Sequence, residues 1–289
     1  MLPAPVDTDA TGVEASAKKR VRLGVMFWLS IGWVVLIIFL AVFAGVLPLP
    51  DPNAQKAAIN LNPSIHHLLG TDSLGRDMLS RVIYASRVSL TVGFASIFLG
   101  LLVGGSMGVI AGYYRGRVDR LLMGIADVML AFPALVFALA IVTFLGQNLR
   151  NVTIAIAVIS IAPIARIVRA STLTFAQREF VTAARTLGAT NWRIIVREIL
   201  PNVAIPVASF SFIAVALAIV GEGGLAFLGL SVHAPTPTWG GMINDGRSFL
   251  QDHPNLSLIP STVLFVTVLA LNFAGDALRA RFDTKDVSV

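Results

Sequence analysis

The sequence predicts an all-α integral membrane protein with six transmembrane helices and both termini in the cytoplasm, and three observations carry that prediction. The 289 residues are 56% hydrophobic and 13% charged, with a mean hydropathy of +0.80, about half the charged share of a soluble globular domain. Apolar runs fall near 23–47, 88–113, 121–145, 152–169, 203–229 and 256–275. Each is long enough for the roughly 20 helical residues that cross a hydrocarbon core, and none alternates with the period of two that a barrel strand needs. Sixteen of the 22 Lys and Arg residues lie at 18–22, 115–120, 166–197 and 279–285, which share one side if the N-terminus is inside. That side is the cytoplasmic one. The net charge of +6 is thereby explained by cytoplasmic loops and needs no nucleic acid. With no cysteine, there is no disulfide framework, thiolate metal site or cysteine nucleophile.

Residues 1–22 read as a polar, disordered cytoplasmic tail ending in the basic flank Lys18, Lys19, Arg20 and Arg22. A signal peptide cleaved after "VFA", before Gly45, is the competing reading, but its apolar region would be too long. The first span covers 23–47, and residues 48–87 form an outer loop. Within that loop Leu74, Met78, Val82 and Ile83 recur at helical spacing, which predicts an amphipathic in-plane helix or a structural elbow leading into the next span. Arg76, Arg81 and Arg87 run against the charge rule there, beside Asp72 and Asp77.

Residues 88–275 form a five-helix core. In its first helix Gly100, Gly104, Gly108 and Gly112 recur every four residues, a stripe without side chains on which another helix packs closely. The third span holds Asp127 ahead of a helix-distorting Pro133, and the fifth holds Glu222 in "GEGG" near its outer end. A carboxylate within a membrane needs a partner or a wet cavity. Both are candidates for a translocation pathway, with Arg120 and Arg166 as alternative structural partners of Asp127.

Between the fourth and fifth spans, residues 171–201 carry "TAARTLGATNWRIIVREILP". On a helical projection Phe180, Ala183, Ala184 and Leu187 share one face, with Arg178, Thr182 and Arg185 opposite. Gly188 suits the left-handed residue that ends this helix, Thr190 or Asn191 caps the next, and Pro201 starts the following span. In a soluble protein the stretch would pass for a DNA-reading helix-turn-helix. Tethered at both ends to membrane helices and lacking a three-helix core, it is better suited to docking into a groove on a cytoplasmic protein.

No G-x-x-x-x-G-K-[ST] phosphate loop occurs, so energy is expected to enter through another protein. No H-E-x-x-H, nucleophile elbow or clustered acid/base set is expected either. His66 and His67 would point about 100° apart on a helix and hardly share a metal; no metal site is expected.

This stretch resembles the EAA loop of binding-protein-dependent ABC importer permeases, whose pattern is roughly E-A-A, three residues, G, nine residues, I-x-L-P. Ala183, Ala184, Gly188, Leu200 and Pro201 fall in register. Thr182 stands where the family usually has glutamate and Glu198 where it often has isoleucine, with Glu179 one turn earlier. "HLLGTDSLGRDMLSRVIYASRVSL", "VDRLLMGIADVMLAFP", "GEGGLAFLGLSVHAPTPTWGGMI" and "NFAGDALRARFD" are similar to the dipeptide, oligopeptide and nickel permease branch, and to the shorter permease of its heterodimer. The resemblance implies a type I importer permease fold in the cytoplasmic membrane of a prokaryote. It implies as partners a second homologous permease, two cytoplasmic ATPase subunits that hold ATP and Mg, and an extracytoplasmic binding protein. Glu179, Phe180, Ala183, Ala184, Leu187 and Gly188 would couple to the ATPase, and Trp239 and Asn244 would dock the binding protein or close an outer gate. The expected cargo is a peptide; a nickel chelate is the alternative within the branch, and a proton-coupled secondary transporter using Asp127 and Glu222 is the alternative outside it.

Overall fold

The computed structural model describes residues 24–283, with side chains to residue 280. The predicted tail and its basic flank lie outside the described residues. Among those described, the fold is helical without named strands. The helices are α1 (Val25–Phe43), α2 (Met78–Tyr114), α3 (Gly116–Ala131), α4 (Ala134–Leu145), α5 (Leu149–Phe175), α6 (Glu179–Thr186), α7 (Asn191–Phe227), α8 (Trp239–Gly246) and α9 (Asn255–Asp283). Five of them are long and apolar enough to span, and α3 with α4 makes a sixth, broken span bent by 86°.

Four expectations are corrected by this arrangement. Residues 121–145 do not form one helix, because Phe132 is extended at φ −88°, ψ 136° ahead of Pro133; proline disfavours helix at the preceding residue and brings no N–H of its own. The in-plane helix is absent: Met78 begins α2 itself, capped by Asp77 Oδ1, which accepts from the Ser80 N–H at 2.8 Å. Met78, Val82 and Ile83 are buried in the bundle, whereas Leu74 lies exposed in the loop before it. Pro201 does not begin a separate span, because α7 is continuous from Asn191. A π-helical stretch, Ile194–Ile199, directly precedes that proline, whose ring in a regular helix would strike the carbonyl four residues back. Lastly, α9 extends to Asp283, into the segment expected to be a tail.

The core forms where α2, α5, α7 and α9 meet, with Val92, Ile156, Ile219 and Leu271 among its buried residues. The glycine stripe packs within the chain, against α5. A Cβ on Gly108 would stand 2.5 Å from the Ala165 carbonyl oxygen, one on Gly112 2.7 Å from Thr172 Cβ, and one on Gly100 3.0 Å from Ile164 Cδ1; on Gly104 it would overlap the Ile161 carbonyl. Backbones this close gain dispersion contacts that any side chain would forbid. By contrast α1 is peripheral. It is held by Trp33 Nε1, which donates to Thr267 Oγ1 at 3.0 Å, and by Arg87, which donates from Nε and Nη2 to the Ala41 and Val42 carbonyls. Arg87 thus satisfies two orphan carbonyls at the C-terminal end of α1.

Candidate functional site

At the basic end of the bundle, α6 sits across the tips of α2, α5 and α7. Its sequence has two apolar faces, and the structure separates them. Val181, 1% exposed, points inward into a cluster with Val109, Ile164, Val168, Ile194, Ile195 and Ile199. Ala184 packs against the same cluster, which corrects its place on the docking face. Phe180, Ala183 and Leu187 face outward, Leu187 being 87% exposed, and Glu179 is exposed beside them. Such a ridge is costly to leave in water and favours a partner.

The helix ends as its glycine predicts. Gly188 has φ +80°; its N–H donates to the Arg185 carbonyl and the Ala189 N–H to the Ala184 carbonyl, both at 3.0 Å. These are the two bonds of a Schellman cap. Thr190 then caps α7, its Oγ1 accepting from the Arg193 N–H at 3.4 Å. Asn191, the other cap candidate, is used differently, its Oδ1 accepting from the Tyr113 hydroxyl at 2.7 Å. Val181 and Tyr113 were missed by sequence reasoning. The signal for Val181 was present in its i, i+3 spacing with Ala184, but nothing local says which apolar face meets the bundle.

Two ion pairs tie α3 to α5. Arg166 Nη2 donates to Asp127 Oδ1 at 2.6 Å, both side chains more than half exposed, so Arg166 rather than Arg120 is the partner of Asp127. Nearer the cytoplasmic end, Arg169 Nη2 donates to Asp119 Oδ2 at 2.6 Å while its Nε bonds Oδ1, the fork geometry that fits carboxylate best. The spacing Gly-x-Ser-x-Gly does occur once, at Gly104 to Gly108, against expectation. It lies inside α2, where Ser106 Oγ donates to the Leu102 carbonyl at 2.6 Å, and no strand-to-helix elbow exposes it.

At the opposite end two of the outer-loop arginines, Arg76 and Arg81, are paired. Asp72, buried, accepts from the N–H of Leu74 and Arg76 at 2.9 Å each and from Arg76 Nε at 2.6 Å, and lies 3.4 Å from Arg81 Nε. His67 Nδ1 lies 2.9 Å from Asp77 Oδ2. Arg76 and Arg81 thus share the Asp72 carboxylate, whereas Arg87 meets the α1 carbonyls. Trp239 is fully buried, its Nε1 donating to the Val82 carbonyl at 3.2 Å. This corrects its reading as a docking residue, since the indole has no surface to offer. Asn244 is partly exposed and lines a polar cavity of about 180 Å³ with Arg76, Arg81, Thr238 and Asp245. Glu222 is also fully buried, near Trp239.

Between the two ends, α4, α5 and α7 enclose an apolar concavity of about 330 Å³ that includes Leu135, Ala138, Pro163, Phe210, Ala214 and Leu217. No ionisable side chain lines it, neither Asp127 nor Glu222. No cluster of three or more His, Asp or Glu suited to a metal occurs among the described residues.

A multi-span helical bundle with a tethered, outward-facing amphipathic helix at its basic end has the features of a membrane permease. The family described as "Binding-protein-dependent transport system inner membrane component" matches residues 104–285. The chain belongs to that family and is the membrane permease component of a bacterial ABC importer, a multi-pass protein of the inner membrane. It is 41% identical over 227 residues to the glutathione transport system permease protein GsiD of Pectobacterium atrosepticum, covering 78% of this chain and 75% of the relative. To GsiD of an Escherichia coli O6:K15:H31 strain it is 39% identical over 255 residues, covering 88% and 84%. Its fold is similar to inward-facing structures of the MetNI methionine ABC transporter, with a TM-score of 0.61 at 19% identity over 71% of this chain and 97% of that one. An amino acid ABC transporter with histidines aligns with a TM-score of 0.55 over 70% and 94%.

Proposed function

We propose that this permease imports a small peptide, with glutathione-like tripeptides and dipeptides as the substrate class, by alternating access driven by ATP hydrolysis on partner subunits. The observation that carries the energy-coupling half is the ridge Phe180, Ala183 and Leu187, held rigid from beneath by Val181. In this reading the ridge, with Glu179 at its rim, seats in a groove on one of two ATPase subunits. A second permease completes the membrane unit. The extracytoplasmic binding protein meets the polar outer face around Asn244, and Trp239 acts only by fixing α8 beneath that face. The relatives named for glutathione transport support the cargo class.

The apolar concavity suits this role. A wall without charge offers a peptide no strong binding point, so the cargo passes rather than lodges, and selectivity is left to the binding protein. Asp127, held by Arg166, serves the α3–α5 contact. Reconstitution of the permease with its partner permease, ATPases and binding protein into liposomes tests the proposal. Labelled glutathione or dipeptide is expected to accumulate only with ATP and binding protein. Accumulation under a proton gradient without ATP would overturn the driving mechanism, and uptake of a nickel chelate with no peptide uptake would overturn the cargo.

A further inference from the structure

Glu222 is the one fully buried carboxylate among the described residues, and neither the coupling ridge nor the apolar concavity uses it. It lies on α7, one and a half turns before that helix ends at Phe227. Its Oε1 accepts from Ser231 Oγ at 2.7 Å and its Oε2 from Ser89 Oγ at 3.2 Å. Ser89 Oγ in turn accepts from the Trp239 N–H at 3.3 Å. One carboxylate thereby joins α2, α7, the loop after α7 and the first residue of α8.

The loop of residues 230–238 depends on that junction. His233, Ala234, Pro235 and Thr236 are exposed and arch over the polar cavity. The loop is fastened at its two feet, Ser231 on one side and Thr238 with Trp239 on the other, and these feet are buried. Both converge on Glu222, the first through Ser231 and the second through the Thr238 side chain and, by way of Ser89, the Trp239 N–H. At the second foot Gly240 lies so close to α7 that a Cβ there would stand 2.5 Å from Gly223 Cα, so α8 is seated against the same turn of helix. A leucine at position 222 would fill this space without the desolvation cost of a carboxylate, but it would accept no hydrogen bond and leave Ser231 unanchored.

We infer that Glu222 is a positioning residue for the outer loop, its carboxylate holding residues 230–238 in the one arrangement that the extracytoplasmic binding protein meets. The second half of this inference rests on the outer face being the docking surface proposed above. The first half stands on the geometry alone, and the experiment separates them.

The chain has no native cysteine, so His233→Cys gives a single spin-label site on it, and the same complex without the substitution gives the background. In the assembled transporter in nanodiscs, Glu222→Ala is expected to shift the held-to-free ratio of the label about tenfold toward free, the scale of one hydrogen bond. Glu222→Gln, which keeps an acceptor oxygen and adds a donor that serine lone pairs can take, is expected to restore the held state. Where Glu222→Ala does not assemble, Ser231→Ala removes only the loop's side of the contact and is expected to free the label likewise. Unchanged label mobility in Glu222→Ala or, in its place, Ser231→Ala overturns the inference, as does a Gln variant as mobile as Ala. Stimulation of ATP hydrolysis by the binding protein is measured on the same samples. Its loss with basal hydrolysis retained supports the whole inference. A freed loop with full stimulation upholds the positioning role and overturns docking at this loop.

Discussion

Replacing Val181 with alanine separates the two faces of α6. Val181 is 1% exposed and its side chain enters the cytoplasmic cluster. The substitution removes two buried methyl carbons, about 1.6 kcal/mol at about 0.8 per carbon, and the residual cavity brings the cost to about 2 kcal/mol. At 1.36 kcal/mol per decade this raises the population in which α6 is lifted off the bundle by about thirtyfold. Hydrogen exchange of the Leu187, Gly188 and Ala189 amides reads that population directly, because their hydrogen bonds to Ala183, Arg185 and Ala184 close the C-terminal cap. Leu187→Ala is the matched control. With 87% of the residue exposed, its loss is expected to leave exchange within about twofold of wild type, surface substitutions costing little in the chain itself, while reducing transport coupled to ATP. If Val181→Ala leaves exchange unchanged and Leu187→Ala accelerates it, the assignment of inner and outer faces is reversed and the coupling ridge is wrong.

Two further substitutions probe the bundle. Gly108→Leu drives a side chain into the Ala165 carbonyl and Val168, whereas Gly105→Leu, with nothing within 4 Å of its Cβ position, meets open space. The first is expected to lower the thermal midpoint of the purified permease by several degrees, as overpacking of about 1–3 kcal/mol does, and the second to leave it unchanged; equal midpoints would refute the α2–α5 seam. Asp72→Ala leaves the guanidinium groups of Arg76 and Arg81 buried without their shared carboxylate, at a cost of about 3–5 kcal/mol. Its expected signature is a large loss of folded protein on heating with Arg87→Gln, whose bonds go to carbonyls at the partly exposed end of α1, affected much less.

The six spans were legible because membrane insertion is decided by length and composition, which a sequence states outright. The glycine stripe was legible for a similar reason: a period of four on one helix needs no knowledge of the partner. What it did not contain was the identity of that partner, and the contact with α5 appears only in three dimensions. Pro133 announced a distortion but not a bend of 86°, whereas Pro163, Pro206 and Pro260 lie inside helices that continue. The difference is set by packing on either side of each proline.

At the site, the tethered helix α6 and its capping glycine were readable from local chemistry, but Ala184 was placed on the wrong face because α6 is apolar on two sides. Trp239 was misread for another reason. Its polar, proline-rich approach, "APTPTW", marks a loop correctly, but the indole itself turns inward, where its Nε1 donates to the Val82 carbonyl of α2. Ser89 and Ser231 gave no signal at all, since a single serine in an apolar helix commonly bonds its own backbone and a single serine in a loop is commonplace.

The length of α7 has a mechanical consequence. Its 37 residues extend about 55 Å, beyond the roughly 40–45 Å of a whole bilayer. It begins three residues after Gly188 and carries Glu222 near its far end, so the helix that receives α6 is the same rod that holds the outer loop. A pivot of about 5° about its middle would carry each tip about 2 Å in opposite directions. An event at the ATPase would then arrive on the far side of the membrane through one covalent shaft, with the π-turn at Ile194–Ile199 as the place where it can flex.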